Sequence, residues 1–228
     1  MNIKVAVIAG TPVDTQMGVD YLNNKDPEIQ TIYLPLENNP RGCHLFQMKT
    51  QEEKHSQMKA LFLKALDLGA DAFFIYCNSL SAAFDFKALA KELNVPCVTP
   101  ISAYEQLAGN YNCCGLIAAN NQATAGIEKA FTIANPDCYI LGSGLLFLVE
   151  DIEKGFRKES PLYAAESIVE RRKLEVLCSF YKNNGAQCLI LGCTHFPYLR
   201  TALETVTDLP VIDPADIMYS ILKEKSEK

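Results

Sequence analysis

The sequence predicts an α/β fold built as two related lobes, each with a parallel sheet. Three observations carry this. Short apolar runs alternate with longer amphipathic stretches along the chain. Those runs are β-branched or aromatic and mostly lack polar alternation, as strands buried on both faces should. And the segment Gly69–Cys77 (GADAFFIYC) returns as Gly185–Cys193 (GAQCLILGC), with the Gly, the Ala and the terminal Cys repeating 116 positions on.

Taken in order, the strands are expected at Ile3–Ala9, Ile29–Leu34, Ala72–Tyr76, Val95–Thr99, Cys114–Ala118, Cys138–Leu141, Cys188–Leu191 and Val211–Asp213. The helical stretches are clearest at Thr50–Leu68, Ser79–Leu93, Gln122–Ile133, Pro161–Asn183 and Phe196–Val206. The repeat extends beyond its core. Met58, Leu61 and Ala65 fall on Leu174, Leu177 and Tyr181, and NVPCVTP from Asn94 resembles DLPVIDP from Asp208. Ile8-Ala9 followed by Thr15 likewise resembles Ile117-Ala118 followed by Thr124. Three segments recurring in one order divide the chain into residues 1–98 with 211–228 as the first lobe and 99–210 as the second. Ligands of such folds sit at the carboxyl ends of the strands. The charge-rich end, Lys223–Lys228, reads as a frayed tail.

Composition excludes several function classes. The 228 residues are 49% hydrophobic and 21% charged, with 21 Lys+Arg against 27 Asp+Glu and a net charge of −6. Disorder is excluded as the main state, and a nucleic-acid binder would show a basic footprint that is absent. No apolar run reaches the roughly 18 residues of a membrane span. The opening stretch reads as a strand and not as a secretion signal. The expectation is a cytoplasmic protein. The nine cysteines fit it: the number is odd, no C-x-x-C occurs, and Cys113-Cys114 are adjacent. That pattern suits neither a zinc knuckle nor a disulfide framework. No Walker loop or G-x-G-x-x-G is present, so nucleotide binding has no support.

Alone, Cys77 reads as a buried core thiol, the common fate of cysteine. Paired with Cys193 at the repeat offset, it reads differently. Each lobe ends a strand with a cysteine that enters the next loop. A thiol with an ordinary pKa near 8.5 is a serviceable proton shuttle. Two of them on opposite faces of a carbon acid remove a proton from one side and return it from the other.

Cys77-Asn78-Ser79 and Gly192-Cys193-Thr194-His195-Phe196-Pro197 resemble the two signature motifs of the cofactor-independent aspartate/glutamate racemase superfamily. The second motif is especially similar to that of glutamate racemases. The resemblance covers nearly the full chain. It implies two pseudo-symmetric flavodoxin-like lobes with the active site in the cleft between them, and racemisation of an acidic amino acid with no cofactor and no metal. It implies that Cys77 and Cys193 are the paired acid/base residues, that His195 assists the second thiol, and that Asn78, Ser79 and Thr194 bind the substrate. Thr124 and Thr11 lie in the first loops of the two lobes, where a substrate carboxylate would be held.

Pro40-Arg41-Gly42 stands where glutamate racemases carry Pro-Tyr-Gly in a substrate-contacting loop. The Arg41 fork could hold a side-chain carboxylate bidentately, and Cys43 follows in the same loop. Glu150 stands where the family has a Val-Glu. A departure concerns the first strand. Glutamate racemases follow it with Asp-Ser-Gly, the Asp assisting the first cysteine, whereas this chain has Ala9-Gly10-Thr11 and no acid until Asp14. Either Asp14 reaches back or the first thiol works without a carboxylate. The expected partner is a small acidic amino acid, and the family is frequently dimeric. The alternatives are a hydantoin racemase, a one-cysteine relative acting on small diacids, and a binder that has lost turnover.

Overall fold

The computed structural model describes residues 3–226. Among the described residues the chain forms two four-stranded parallel sheets with helices around them. By its contacts it divides into two units. The first comprises the residues up to Ser102 with those from Ala215 onward, and the second is Ala103–Pro214.

In the first unit, β1 (Lys4–Ala9), β2 (Gln30–Pro35), β3 (Ala72–Ile75) and β4 (Cys97–Val98) lie in the order β2-β1-β3-β4. The central strands are the driest: Val5 to Ala9 and Phe73 to Ile75 are fully buried. Burial of each Val, Ile or Phe side chain among them contributes about 1.5–3 kcal/mol. The helices are α1 (Pro12–Lys25), α2 (Pro40–Gln47), α3 (Gln51–Asp67), α4 (Asn78–Ala83), α5 (Phe86–Leu93) and α6 (Pro100–Leu107), the last reaching into the second unit. Phe62 of α3 stacks on Phe73 with ring centroids 3.9 Å apart.

In the second unit, β5 (Cys113–Ala118), β6 (Tyr139–Gly144), β7 (Leu189–Gly192) and β8 (Val211–Ile212) repeat that order as β6-β5-β7-β8. Its helices are α7 (Asn121–Ala134), α8 (Leu146–Phe156), α9 (Ala165–Arg171), α10 (Leu174–Asn183) and α11 (Arg200–Glu204). The chain then returns to the first unit as α12 (Ala215–Ser226), where Lys225 Nζ donates to the Cys97 carbonyl at 2.8 Å. Because β8 pairs with β7, residues 211–214 go with the second sheet, whereas the sequence reading gave them to the first lobe.

The internal repeat has the same backbone in both copies. Gly69 and Gly185 take positive φ, +84° and +91°, directly after α3 and α10. In each copy two amides close a Schellman motif. Gly69 N and Ala70 N donate to the carbonyls of Leu66 and Ala65, and Gly185 N and Ala186 N to those of Lys182 and Tyr181. Glycine suits this C′ position because an L side chain there is strained. The proline of each repeat acts alike: Pro96 accepts from Phe73 N and Pro210 from Leu189 N, both at 2.9 Å.

Four expectations change. The helix expected over Ser79–Leu93 is two helices, broken at Phe84-Asp85, where the Asp85 carboxylate caps α5 through Ala88 N. The stretch expected over Pro161–Asn183 is a 3₁₀ turn followed by α9 and α10, with Lys173 left-handed between them. Pro40 to Cys43, expected as a loop, is the first turn of α2, capped by Asn39 Oδ1 accepting from Gly42 N at 2.9 Å. Lys223–Ser226 continue α12, so the helix runs into the expected tail, and residues 227–228 lie outside the described residues.

Candidate active site

In the first unit the site is built where β1 and β3 end. After β1 the chain reaches Gly10 and Thr11, the N-cap of α1. Thr11 Oγ1 accepts from Asp14 N at 3.4 Å and donates to Asp14 Oδ1 at 2.8 Å. The Asp14 carboxylate turns back on the loop, accepting from Thr11 N at 2.6 Å and Gly10 N at 3.2 Å. This is a capping box with aspartate in the acid's place. It also fixes the carboxylate, 2% exposed, beside the end of the strand.

Cys77 follows β3 by one residue and is the N-cap of α4. Its carbonyl accepts from Ser81 N at 3.1 Å and Ser81 Oγ at 2.8 Å, which fixes its backbone. Its sulfur lies 3.4 Å from Ser79 Oγ, and the Cys43 sulfur lies 3.8 Å from the same hydroxyl. The Ser79 hydroxyl is thus within hydrogen-bond reach of both sulfurs. The neighbouring thiol is the largest influence on each: Cys77 is drawn below the ordinary thiol value and Cys43 is held well above it. Burial and the Asp14 charge push Cys77 upward, and the Ser79 hydroxyl and Leu80 amide pull it down. The other cysteines with a resolved shift all go up. Burial pushes Cys97 and Cys138 to about 12 and Cys178 to about 11.

The second unit presents its cysteine differently. Cys193 follows β7 directly, and its carbonyl accepts from Phe196 N at 3.0 Å as the chain enters a 3₁₀ turn. Its sulfur lies 3.7 Å from His195 Nδ1, and His195 Nε2 lies 3.3 Å from Glu153 Oε1. All three are buried: Cys193 5%, His195 2% and Glu153 5% exposed. Arg157 holds the other Glu153 oxygen at 3.3 Å from the next turn of α8. A carboxylate, an imidazole and a thiol in line can move a proton to or from the sulfur, the imidazole being held by its far nitrogen.

The remaining expected residues divide. Asn78, Ser79 and Thr194 are buried beside their cysteines, at 1%, 5% and 6% exposure. Thr11 is buried but engaged in the capping box. The Thr124 hydroxyl donates to the Asn120 carbonyl at 3.1 Å, just as Thr15 in the first repeat donates to the Thr11 carbonyl at 2.6 Å. Arg41 is exposed on the first turn of α2. Glu150 is exposed on α8, and the residue one turn on, Glu153, meets the histidine instead. Sequence reasoning missed Glu153, and it placed Cys43 in the loop near the presumed site without relating it to Cys77. Glu153 had a signal, since it falls on the same helical stripe as the buried Val149 and Ile152. The link from Cys43 to Cys77 had none, because only the tertiary fold brings the two together. Among the described residues, no group of three or more His, Cys, Asp or Glu is placed to hold a metal ion, and no helix is long and apolar enough to cross a membrane.

The sequence profile of the family described as Asp/Glu/Hydantoin racemase matches residues 30–221. The chain is similar to the glutamate racemase of Desulforudis audaxviator, 32% identical over 153 residues, which are 64% of this chain and 53% of the relative. The match to the glutamate racemase of Limosilactobacillus reuteri, 29% identical over 180 residues, covers 77% of this chain and 64% of that relative. The chain therefore spans between half and two thirds of these relatives' lengths. In fold it resembles the crystal structure of Francisella tularensis glutamate racemase in complex with D-glutamate, with a TM-score of 0.70 and 23% identity over 99% of this chain and 82% of that one.

Proposed function

The chain belongs to the Asp/Glu/Hydantoin racemase family, and from that premise we propose that it interconverts the L and D forms of an acidic amino acid, aspartate or glutamate, without pyridoxal phosphate. Cys77 and Cys193 are the two acid/base residues. The reaction breaks the Cα–H bond and remakes it from the opposite face. One thiolate takes the α-proton, the electron pair stays on the α-carbon and its carboxylate, and the thiol across the carbon returns a proton. No electron leaves the substrate, and the two sulfurs end with their protonation states exchanged. In the reverse direction the roles exchange.

The observation that carries the reading is that both repeats end their third strand in a buried cysteine with its own polar support. Cys77 has the Cys43 and Ser79 side chains. Cys193 has His195 backed by Glu153. A thiol buried for packing alone is pushed up, as at Cys97, while Cys77 is drawn down. Cys77 is therefore suited to act as the base, and for the enantiomer it deprotonates Cys193 is the acid. Asn78, Ser79 and Thr194, buried beside the sulfurs, supply the polar groups that hold the α-carboxylate and amino group. All nine cysteines are free, which favours a reducing compartment such as the cytoplasm.

The test is proton NMR of the protein in deuterated water with L-aspartate and L-glutamate separately and no cofactor. Loss of the α-proton signal with chiral inversion is expected for at least one of them. Folded, reduced protein that exchanges neither would overturn the acidic-substrate reading, and exchange with a 5-substituted hydantoin would replace it.

A further inference from the structure

The Cys77 thiolate needs a supporting group that the first loop does not provide. Its nearby carboxylate, Asp14, carries a charge of the same sign as a thiolate and raises the cost of forming one. Donors come from α4, at the Ser79 hydroxyl and the Leu80 amide. The first turn of α2 adds the thiol of Cys43, which shares the Ser79 hydroxyl with Cys77 at 3.8 Å against 3.4 Å.

Gly10 makes the room. A Cβ on residue 10 would stand 2.5 Å from the Cys43 sulfur and 3.3 Å from its Cβ, so any other residue there would push the thiol away. The glycine after β1 and the cysteine on α2 thus form one packing unit around Cys77. Cys43 is itself 6% exposed, so water does not compete freely for its proton.

We propose that Cys43 is a positioning residue for Cys77: its thiol stays protonated and donates to the Ser79 hydroxyl, turning that hydroxyl's own proton onto the Cys77 sulfur and favouring the thiolate that begins proton transfer. The role rests on the reading of Cys77 as an acid/base residue. A neutral S–H is a weak donor, but the Ser79 O–H that it orients donates to an anion, and the dry surroundings strengthen that charge-assisted bond. The asymmetry between the two sulfurs follows from place. Cys77 stands at the head of α4, closer to the Ser79 hydroxyl, while Cys43 sits in the first turn of α2 behind its Asn39 cap. Cys43 takes no part in proton transfer to substrate. Its work is to set the pH at which Cys77 is ready.

The experiment is a pH titration by NMR of the full chain labelled at cysteine 13Cβ, whose shift separates thiol from thiolate whether or not a reagent can reach it. Cys77→Ser assigns the signal. In the wild type the Cys77 midpoint is expected below the ordinary value of about 8.5. In Cys43→Ala it is expected to rise by about one pH unit or more, and Cys43→Ser, whose hydroxyl still donates, should recover at least half of that shift. Gly10→Ala crowds the sulfur without removing it and should raise the midpoint as well, which keeps a readout if the alanine variant at 43 does not fold. An unchanged Cys77 midpoint in folded Cys43→Ala or Gly10→Ala overturns the proposal. Because the titration needs no substrate, it separates the two readings. A midpoint that moves as expected in a protein that exchanges no α-proton would leave the thiol pair standing and remove the racemase reading.

Discussion

His195 Nε2 lies 3.3 Å from Glu153 Oε1, and the opposite ring nitrogen faces the Cys193 sulfur at 3.7 Å. The imidazole is therefore held from behind by a buried carboxylate. With Nε2–H donating to the Glu153 carboxylate, Nδ1 presents a lone pair to the thiol. Glu153→Gln keeps the shape but removes the charge that fixes this tautomer. The expected result is a fall in kcat of roughly 10²-fold or more with little change in KM, read by chiral chromatography of the product. An unchanged kcat would remove Glu153 from the mechanism.

Asp14 offers a test in which the sign is informative. If it were the base that activates Cys77, Asp14→Asn would abolish turnover. In the structure its charge instead opposes the Cys77 thiolate. Removing that charge lowers the Cys77 pKa further, so the acidic limb of the kcat/KM profile should move to lower pH. Loss of the capping box costs about 1 kcal/mol of stability, seen as a lower urea midpoint. A limb that moves upward would contradict this assignment.

Gly69 and Gly185 close the same motif in the two repeats at nearly the same positive φ. Gly185 has open space around its missing side chain, and Gly69 meets only the tip of Lys4 at 3.4 Å. Alanine at either position is strained by backbone alone, and each substitution should destabilise by about 1 kcal/mol. Activity at 25 °C should stay unchanged. Urea midpoints of the two variants check the cost. A difference well above 1 kcal/mol between them would show that the repeats do not use the glycine alike.

The buried thiols give a stability limit at high pH. Cys97 and Cys138 are pushed to about 12 and Cys178 to about 11, well above the ordinary thiol value. A group whose folded pKa is raised contributes stability that is complete below its unfolded pKa and is lost as pH climbs to the folded one. The melting temperature should therefore fall steadily from about pH 9 towards 12. Cys97→Ala, with nothing to ionise, should melt lower at pH 7 but decline less steeply. A parallel decline in the variant would exclude Cys97 as a contributor.

Much of this architecture was legible because the strands are dense apolar runs whose pattern does not depend on partners. All eight expected strands occur among the described residues, with ends that coincide or shift by up to three residues. The helices were harder. The sequence reading named neither α1 nor α2, although each starts with a cap residue before an N1 proline, Thr11 before Pro12 and Asn39 before Pro40. Yet α1 interleaves polar residues with its apolar ones, so its buried face is set by contact with the sheet. Both signature cysteines and His195 could be read from repeat and resemblance. The link from Cys43 to Cys77 could not, since the two lie 34 positions apart and no local pattern joins them.

The central claim is that two thiols, one from each repeat, carry the proton. It is tested most directly by measuring racemisation and α-proton exchange in Cys77→Ala and Cys193→Ala, each confirmed as folded by its melting curve. Both variants should lose racemisation to below about 10⁻³ of wild type. Full racemisation in either variant would contradict the account.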